Sequence, residues 1–162
     1  MIYILLCLPL LKKLSSGSFM TTLQETLIGS VMTPMPHSIG IEQTAAVAQK
    51  LMNEFNIRHL PVREGGEVVG IVSDRDISFA IAAEHKGASD LTISDILTAE
   101  PVTVGPKTKL ANVVKKMADE HIGCVLVIEK GDLVGIYTTT DVCRDFSHYM
   151  HHGEISHTQV AA

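Results

Sequence analysis

The stretch GIVSDRD at residues 70–76 returns as GIYTTTD at residues 135–141, 65 positions later. Working outward from this pair, the whole segment from Val31 to Ile77 lies on Ile96 to Val142 at the same offset without a gap. Thr33, Pro36, Gly40, Ala46, Lys50, Met52, Ile57, Val62, Glu64, Gly66 and Val69 all meet identical residues, and most other pairs exchange one apolar side chain for another. A single fixed offset marks duplication of one supersecondary unit, and such units stack to bury a face that neither covers alone. A site is expected at the seam between the copies.

Within each copy the periodicity changes in the same order. Thr33 and Pro34 signal a turn, a short extended piece follows around Ser38 and Ile39, and Thr44 then stands as a helix cap before Ala45, Ala48, Leu51, Met52 and Phe55. Arg58 to Arg63 reads as a strand, Gly65 and Gly66 as a turn, Glu67 to Ser73 as a second strand, and Asp74 as the opening of a second helix. The second copy repeats this with a helical face of Leu110, Val113, Val114 and Met117 and strands Cys124 to Glu129 and Leu133 to Thr138. A last helix is expected from Asp141 to Tyr149, with the break between copies at Gly87 to Asp90 and one core shared by both.

At 162 residues, with 46% of them hydrophobic, the chain suits one compact domain. A net charge of −5 with no block of Lys and Arg argues against a nucleic-acid surface, where phosphate neutralisation supplies most of the affinity. Cys7, Cys124 and Cys143 have no CxxC spacing and read as reduced thiols, which places the protein in the cytoplasm. The apolar run from Ile2 to Leu11, closed by Lys12 and Lys13, is too short to span a bilayer, and it lacks the basic flank of a signal peptide. Residues 1–27 are read as an N-terminal extension, untranslated if synthesis starts at Met20 or else a loose tail.

With its Thr-Pro opening at Thr33 and Pro34, its Leu-Pro-Val strand at Leu60 to Val62 and the two stretches ending at Asp76 and Asp141, the chain resembles a tandem pair of CBS domains. Repeat one is assigned to 28–90, repeat two to 91–150, and 151–162 to a polar, His-containing tail. The resemblance implies an α/β module of two β-α-β-β-α repeats related by a pseudo-twofold axis, a homodimer paired through its helices near Phe79, Ile81 and Phe146, and regulation rather than catalysis. It also implies clefts between the copies for an adenosyl ligand such as AMP, ADP, ATP or S-adenosylmethionine. Output then acts in trans on a protein partner.

The residues support that reading chemically. A carboxylate accepts two hydrogen bonds from the adjacent hydroxyls of a ribose, and charge-assisted bonds of this kind are stronger than neutral ones. Asp76 and Asp141 are placed for this, with Ser73 and Thr138 three residues earlier at a strand-to-helix junction where a hydroxyl and helix amides suit a phosphate. The competing role for both carboxylates is simple capping of a helix start. Repeat one adds Arg58, His59 and Arg75, where repeat two has Gly123, Cys124 and Thr140, so counter-charge for phosphate lies mainly in repeat one. The resemblance adds Ile39 and Val104 as the residues flanking the adenine. The expected nucleotide set is therefore Ile39, Arg58, His59, Ser73, Arg75, Asp76, Val104, Thr138, Thr140 and Asp141. Repeat two also replaces Pro34 by Ala99 and Pro61 by Leu126, which leaves its cleft in question.

Two rival readings come from the same residues. His148, His151 and His152, with His157 beyond, have helical spacing that brings imidazoles together for a transition metal. Alternatively, the module is a dimerisation or interaction platform whose clefts stay empty. An enzyme is not expected, because no nucleophile elbow, HExxH, Walker loop or dinucleotide fingerprint is present. Asp74 and Asp76 are paired by spacing, but on a turn entering a helix such a pair reads as capping rather than as an acid and a base.

Overall fold

The computed structural model of the protein describes residues 25–153 and Ile155. The readings made for Cys7, Met20 and His157 lie outside the described residues. The first copy forms β1 (Thr33–Pro34), β2 (Ile39–Gly40), α1 (Ala45–Glu54), β3 (His59–Glu64), β4 (Glu67–Ser73) and α2 (Asp74–Glu84). The second forms β5 (Thr98–Ala99), β6 (Thr103–Val104), α3 (Leu110–Asp119), β7 (Cys124–Glu129), β8 (Asp132–Thr138) and α4 (Thr139–His152).

Helices α1 and α3 bury the same face, Ala45, Ala48 and Met52 in one and Leu110, Val113 and Met117 in the other, as their spacing requires. Thr44 occupies the cap position of α1 without a side-chain capping bond, and it bridges instead to Thr92. Helix α4 is longer than the expected Asp141 to Tyr149, because the stop comes only at Gly153, in the left-handed region at φ 78°. The duplication extends to backbone strain. Met35 and Glu100, Asn56 and His121, and Gly66 and Gly131 all take positive φ at matching positions of the two copies. Non-glycine residues seldom adopt that region, so its recurrence marks turns fixed by the shared fold.

Two four-stranded sheets result, ordered β1-β8-β7-β6 and β2-β3-β4-β5. Neither sheet belongs to one repeat. β1 pairs antiparallel with β8, Thr33 facing Ile136, while β5 pairs antiparallel with β4, Thr98 facing Ile71. Each copy therefore lends its first strand to the other. The chain just before each lent strand crosses over with it: Ala45 N donates to Leu91 O at 2.9 Å, and Leu110 N donates to Thr26 O at 2.8 Å. Glu25 also pairs with Lys109 at 2.8 Å, so the end of the expected N-terminal extension is bonded to repeat two.

This exchange explains the glycine that opens each diagnostic stretch. A Cβ on Gly70 would lie 2.3 Å from Leu97 Cδ1 and 2.9 Å from Thr98 O, both on the incoming strand segment. A Cβ on Gly135 would lie 2.2 Å from Met32 Sδ.

The interior is not the single shared core that was expected. One apolar cluster joins Ile39, Met52, Leu60, Val72 and Ile77 to Leu91 and Ile93, and a second joins Val113, Val125 and Tyr137 to Ile28 and Val31. A smaller cluster of Leu126, Leu133 and Ile136 meets Val68 and Ile71 where the two sheets face each other. Two helices per unit shield each sheet's outer face, so the buried area divides into three. Both larger clusters still draw residues from both copies.

Candidate functional site

Strands β4 and β8 run straight into helices α2 and α4, with no loop between. Ser73 and Thr138 are therefore both the last residue of a strand and the cap of a helix, and each closes a capping box. Asp76 Oδ2 accepts from Ser73 N at 2.9 Å and from Ser73 Oγ at 2.6 Å, while Asp76 N donates back to Ser73 Oγ at 3.2 Å. Asp141 repeats the arrangement, accepting from Thr138 N at 2.9 Å and Thr138 Oγ1 at 2.7 Å. Capping is thus a real role of both aspartates, and it uses one carboxylate oxygen of each.

The surroundings of the two differ. Asp76 is half-buried, and the bonds it accepts from described residues fall on Oδ2. The Arg58 backbone is tied to the start of α2, where Asp74 N donates to Arg58 O at 3.1 Å. His59 lies within reach of four charges: burial pushes its pKa below 6.5, Asp74 and Asp76 pull it up, and Arg58 and Arg75 push it down. Cys124, the counterpart of His59, also feels Asp76, and burial together with that charge pushes its thiol up to about 12. It stays protonated and supplies no charge. The copies touch here, since a Cβ on Gly123 would lie 3.1 Å from His59 Nε2. Repeat two thus has glycine where repeat one has Arg58, against the face of His59.

The structure gathers Arg58, His59, Ser73, Arg75 and Asp76 around the start of α2, with both arginines exposed. Ile39 and Val104 sit on β2 and β6, each at the edge of its sheet, with Ile39 buried in the first cluster and Val104 half-buried. Thr138 and Asp141 stay together at the start of α4, and Thr140 is exposed in its first turn. A groove of about 530 Å³ opens at Asp76 and runs along α2 past Phe79 and Ala80 to Leu91, Asp95 and Ile96. Asp76 is the one expected nucleotide residue that lines it.

The histidine cluster does not assemble as a metal site. His148 and His152 have ring centroids 4.4 Å apart and His151 and His152 6.3 Å, but no group of three or more His, Cys, Asp or Glu among the described residues is arranged to hold a metal ion. Helical spacing brings the rings close without converging their nitrogens with a third ligand.

The sequence reading missed a polar cluster on α4. Arg144 donates to Asp141 Oδ1 at 2.6 Å, and Asp141 is only 6% exposed. Tyr137 Oη donates to the buried Asp145 Oδ2 at 2.6 Å, while Asp145 Oδ1 has no hydrogen-bond partner. Burial pushes the Asp145 carboxyl up. The matching residues of repeat one are Val72 and Ala80. The signal was present, since a phenol and a carboxylate replace two apolar residues together at matching positions.

The fold and the site define a class: a duplicated α/β module with exchanged strands and two capped carboxylates at the seam. Comparison with known proteins agrees. Residues 28–83 and 93–148 match the CBS domain. The chain is 37% identical over 123 residues to an inosine-5′-monophosphate dehydrogenase of Korarchaeum cryptofilum, covering 75% of this chain and 24% of that enzyme. It is 28% identical over 123 residues to the CBS domain-containing protein YhcV of Bacillus subtilis, covering 76% of this chain and 84% of that protein. A solved CBS domain pair in complex with 5′-methylthioadenosine and S-adenosyl-L-methionine superposes with a TM-score of 0.67 at 30% identity, over 75% of this chain and 96% of that one. The chain belongs to the CBS domain family, as a tandem pair. It spans about a quarter of the enzyme it matches. No helix among the described residues is long and apolar enough to cross a membrane.

Proposed function

We propose that this protein is a regulatory module that binds an adenosine-containing ligand at the repeat-one junction and passes its occupancy to a protein partner in trans. The observation that carries the reading is the group at the start of α2: a half-buried Asp76 carboxylate fixed through Oδ2, with Oδ1 turned to neither Ser73 group, at a junction that also bears the exposed Arg58 and Arg75 and the half-buried His59. The carboxylate reads the ribose diol, and Arg58 and Arg75 supply paired donors for a phosphate. The similar CBS pair solved with two adenosyl compounds supports the ligand class. AMP, ADP, ATP and S-adenosylmethionine all carry the adenosine that Asp76 recognises. Binding regulates a partner only if the ligand favours one arrangement of the module over another.

The test is thermal unfolding of the full chain with each of these ligands, beside Asp76→Asn, which keeps an acceptor for the cap and removes the charge. A ligand at a hundred times its dissociation constant stabilises by about 2.7 kcal/mol, a shift of several degrees at this size. The shift is expected in the wild type and lost in Asp76→Asn. An unchanged melting temperature with every ligand rejects the reading.

A second reading has its own observation. Phe79 is 74% exposed on α2, and Phe146 and Met150 are 62% and 69% exposed on α4. Exposed apolar side chains on two helices suit a protein interface, so a homodimer or interaction platform is the alternative. Sedimentation of the wild type beside Phe79→Ser and Phe146→Ser separates a dimer from a monomer.

A further inference from the structure

We infer that the repeat-two junction is latched shut by Arg144, so that the chain takes one adenosyl ligand rather than two. This rests on the nucleotide reading of Asp76 given above. At both junctions the capping box occupies Oδ2 of the aspartate, which leaves Oδ1 as the oxygen that a ribose hydroxyl must reach. In repeat two that oxygen already accepts from Arg144 Nη1 at 2.6 Å, and the Asp141 side chain is 9% exposed. Arg144 takes one of the two acceptor sites that the capping box leaves on Asp141, so a ribose diol finds one free site there, beside a cation, against two on Asp76 Oδ1. In repeat one the residue at the place of Arg144 is Phe79, which is 74% exposed and has no donor to offer.

The neighbouring positions differ in the same sense. Ala80 and Ala83, which line the groove that opens at Asp76, correspond to Asp145 and His148 on α4. Asp145 is buried and bonded to Tyr137, and it carries one unpartnered oxygen. The face of α4 that matches the groove wall is therefore filled with larger polar side chains. Duplication supplied two junctions, and substitutions on one turn of α4 closed one of them. The resulting occupancy is single, without cooperativity between clefts of one chain.

Isothermal titration of the full chain tests this. The probe is 5′-methylthioadenosine, which presents the ribose diol and adenine without a phosphate, with AMP as the second probe. The wild type is expected to bind one equivalent, Arg144→Phe two, Asp76→Asn none, and the Asp76→Asn, Arg144→Phe double variant one. The exposed position of Arg144 makes the Phe replacement, which installs the repeat-one residue, compatible with folding. Two equivalents in the wild type overturn the latch, and so does a single equivalent in Arg144→Phe. Loss of binding in Arg144→Phe overturns it too, because Arg144 then serves the ligand. Absence of binding by every variant to both probes rejects the nucleotide reading itself, which distinguishes the two failures.

Discussion

His59 is a base held mostly out of water between two aspartates and two arginines, and burial is the largest influence on it. Its folded-state pKa lies below the ordinary 6.5, so on acidification the unfolded chain takes up a proton first. Stability contributed by neutral His59 is present above pH 6.5, declines as the pH falls below that value, and levels off once the folded form is protonated. His59→Gln should flatten that part of the pH–stability curve measured by urea unfolding, and an unchanged slope would mean that another group sets it. Asp76 and Asp141 show how far single residues were legible. Their spacing from Ser73 and Thr138 marked the junction and the basic residues of repeat one marked an asymmetry, but the bond from Arg144 to Asp141 shows only in the structure. A side chain three residues along a helix lies on the same face, and whether it turns back or out to water depends on packing.

At the scale of the element, the glycines of the two diagnostic stretches record the strand exchange. Gly70 is closed in by the Thr98 carbonyl as well as the end of Leu97, whereas the three atoms nearest to a Cβ on Gly135 all belong to the flexible side chain of Met32. A backbone atom yields less readily than a methionine tail, so Gly70→Ala should cost about 1–3 kcal/mol and Gly135→Ala clearly less. Chemical denaturation of the two variants measures the difference, and equal losses would contradict this account. The hairpins β3–β4 and β7–β8 were legible because β-branched residues and glycine turns act locally. The two-residue strands β1 and β5 were not. Too short to show alternation, they exist only by pairing with the other copy.

At the scale of the whole molecule, each of the two larger apolar clusters needs residues from the other repeat. Ile28 and Val31 complete the cluster of repeat two, and Leu91 and Ile93 complete that of repeat one. A fragment of residues 28–90 lacks β5 and those two side chains, so it should not form a stable folded monomer. Circular dichroism with sedimentation checks this, and a cooperatively folding monomer would count against it. The intact chain should unfold in one transition by both near- and far-ultraviolet dichroism, since neither sheet survives loss of the other repeat.

The sequence by itself determined the duplication, the order of strands and helices, and the two carboxylates at the strand-to-helix junctions. These follow from periodicity, turn chemistry and capping, which act within a few residues and repeat at a fixed offset. Tertiary structure alone decided the exchange of first strands, the division of the interior into three clusters, the meeting of His59 with Gly123, and the pairing of Arg144 with Asp141. Each of these depends on distances between groups far apart in the chain, or on which rotamer a neighbour's packing permits. Local pattern carries no record of either.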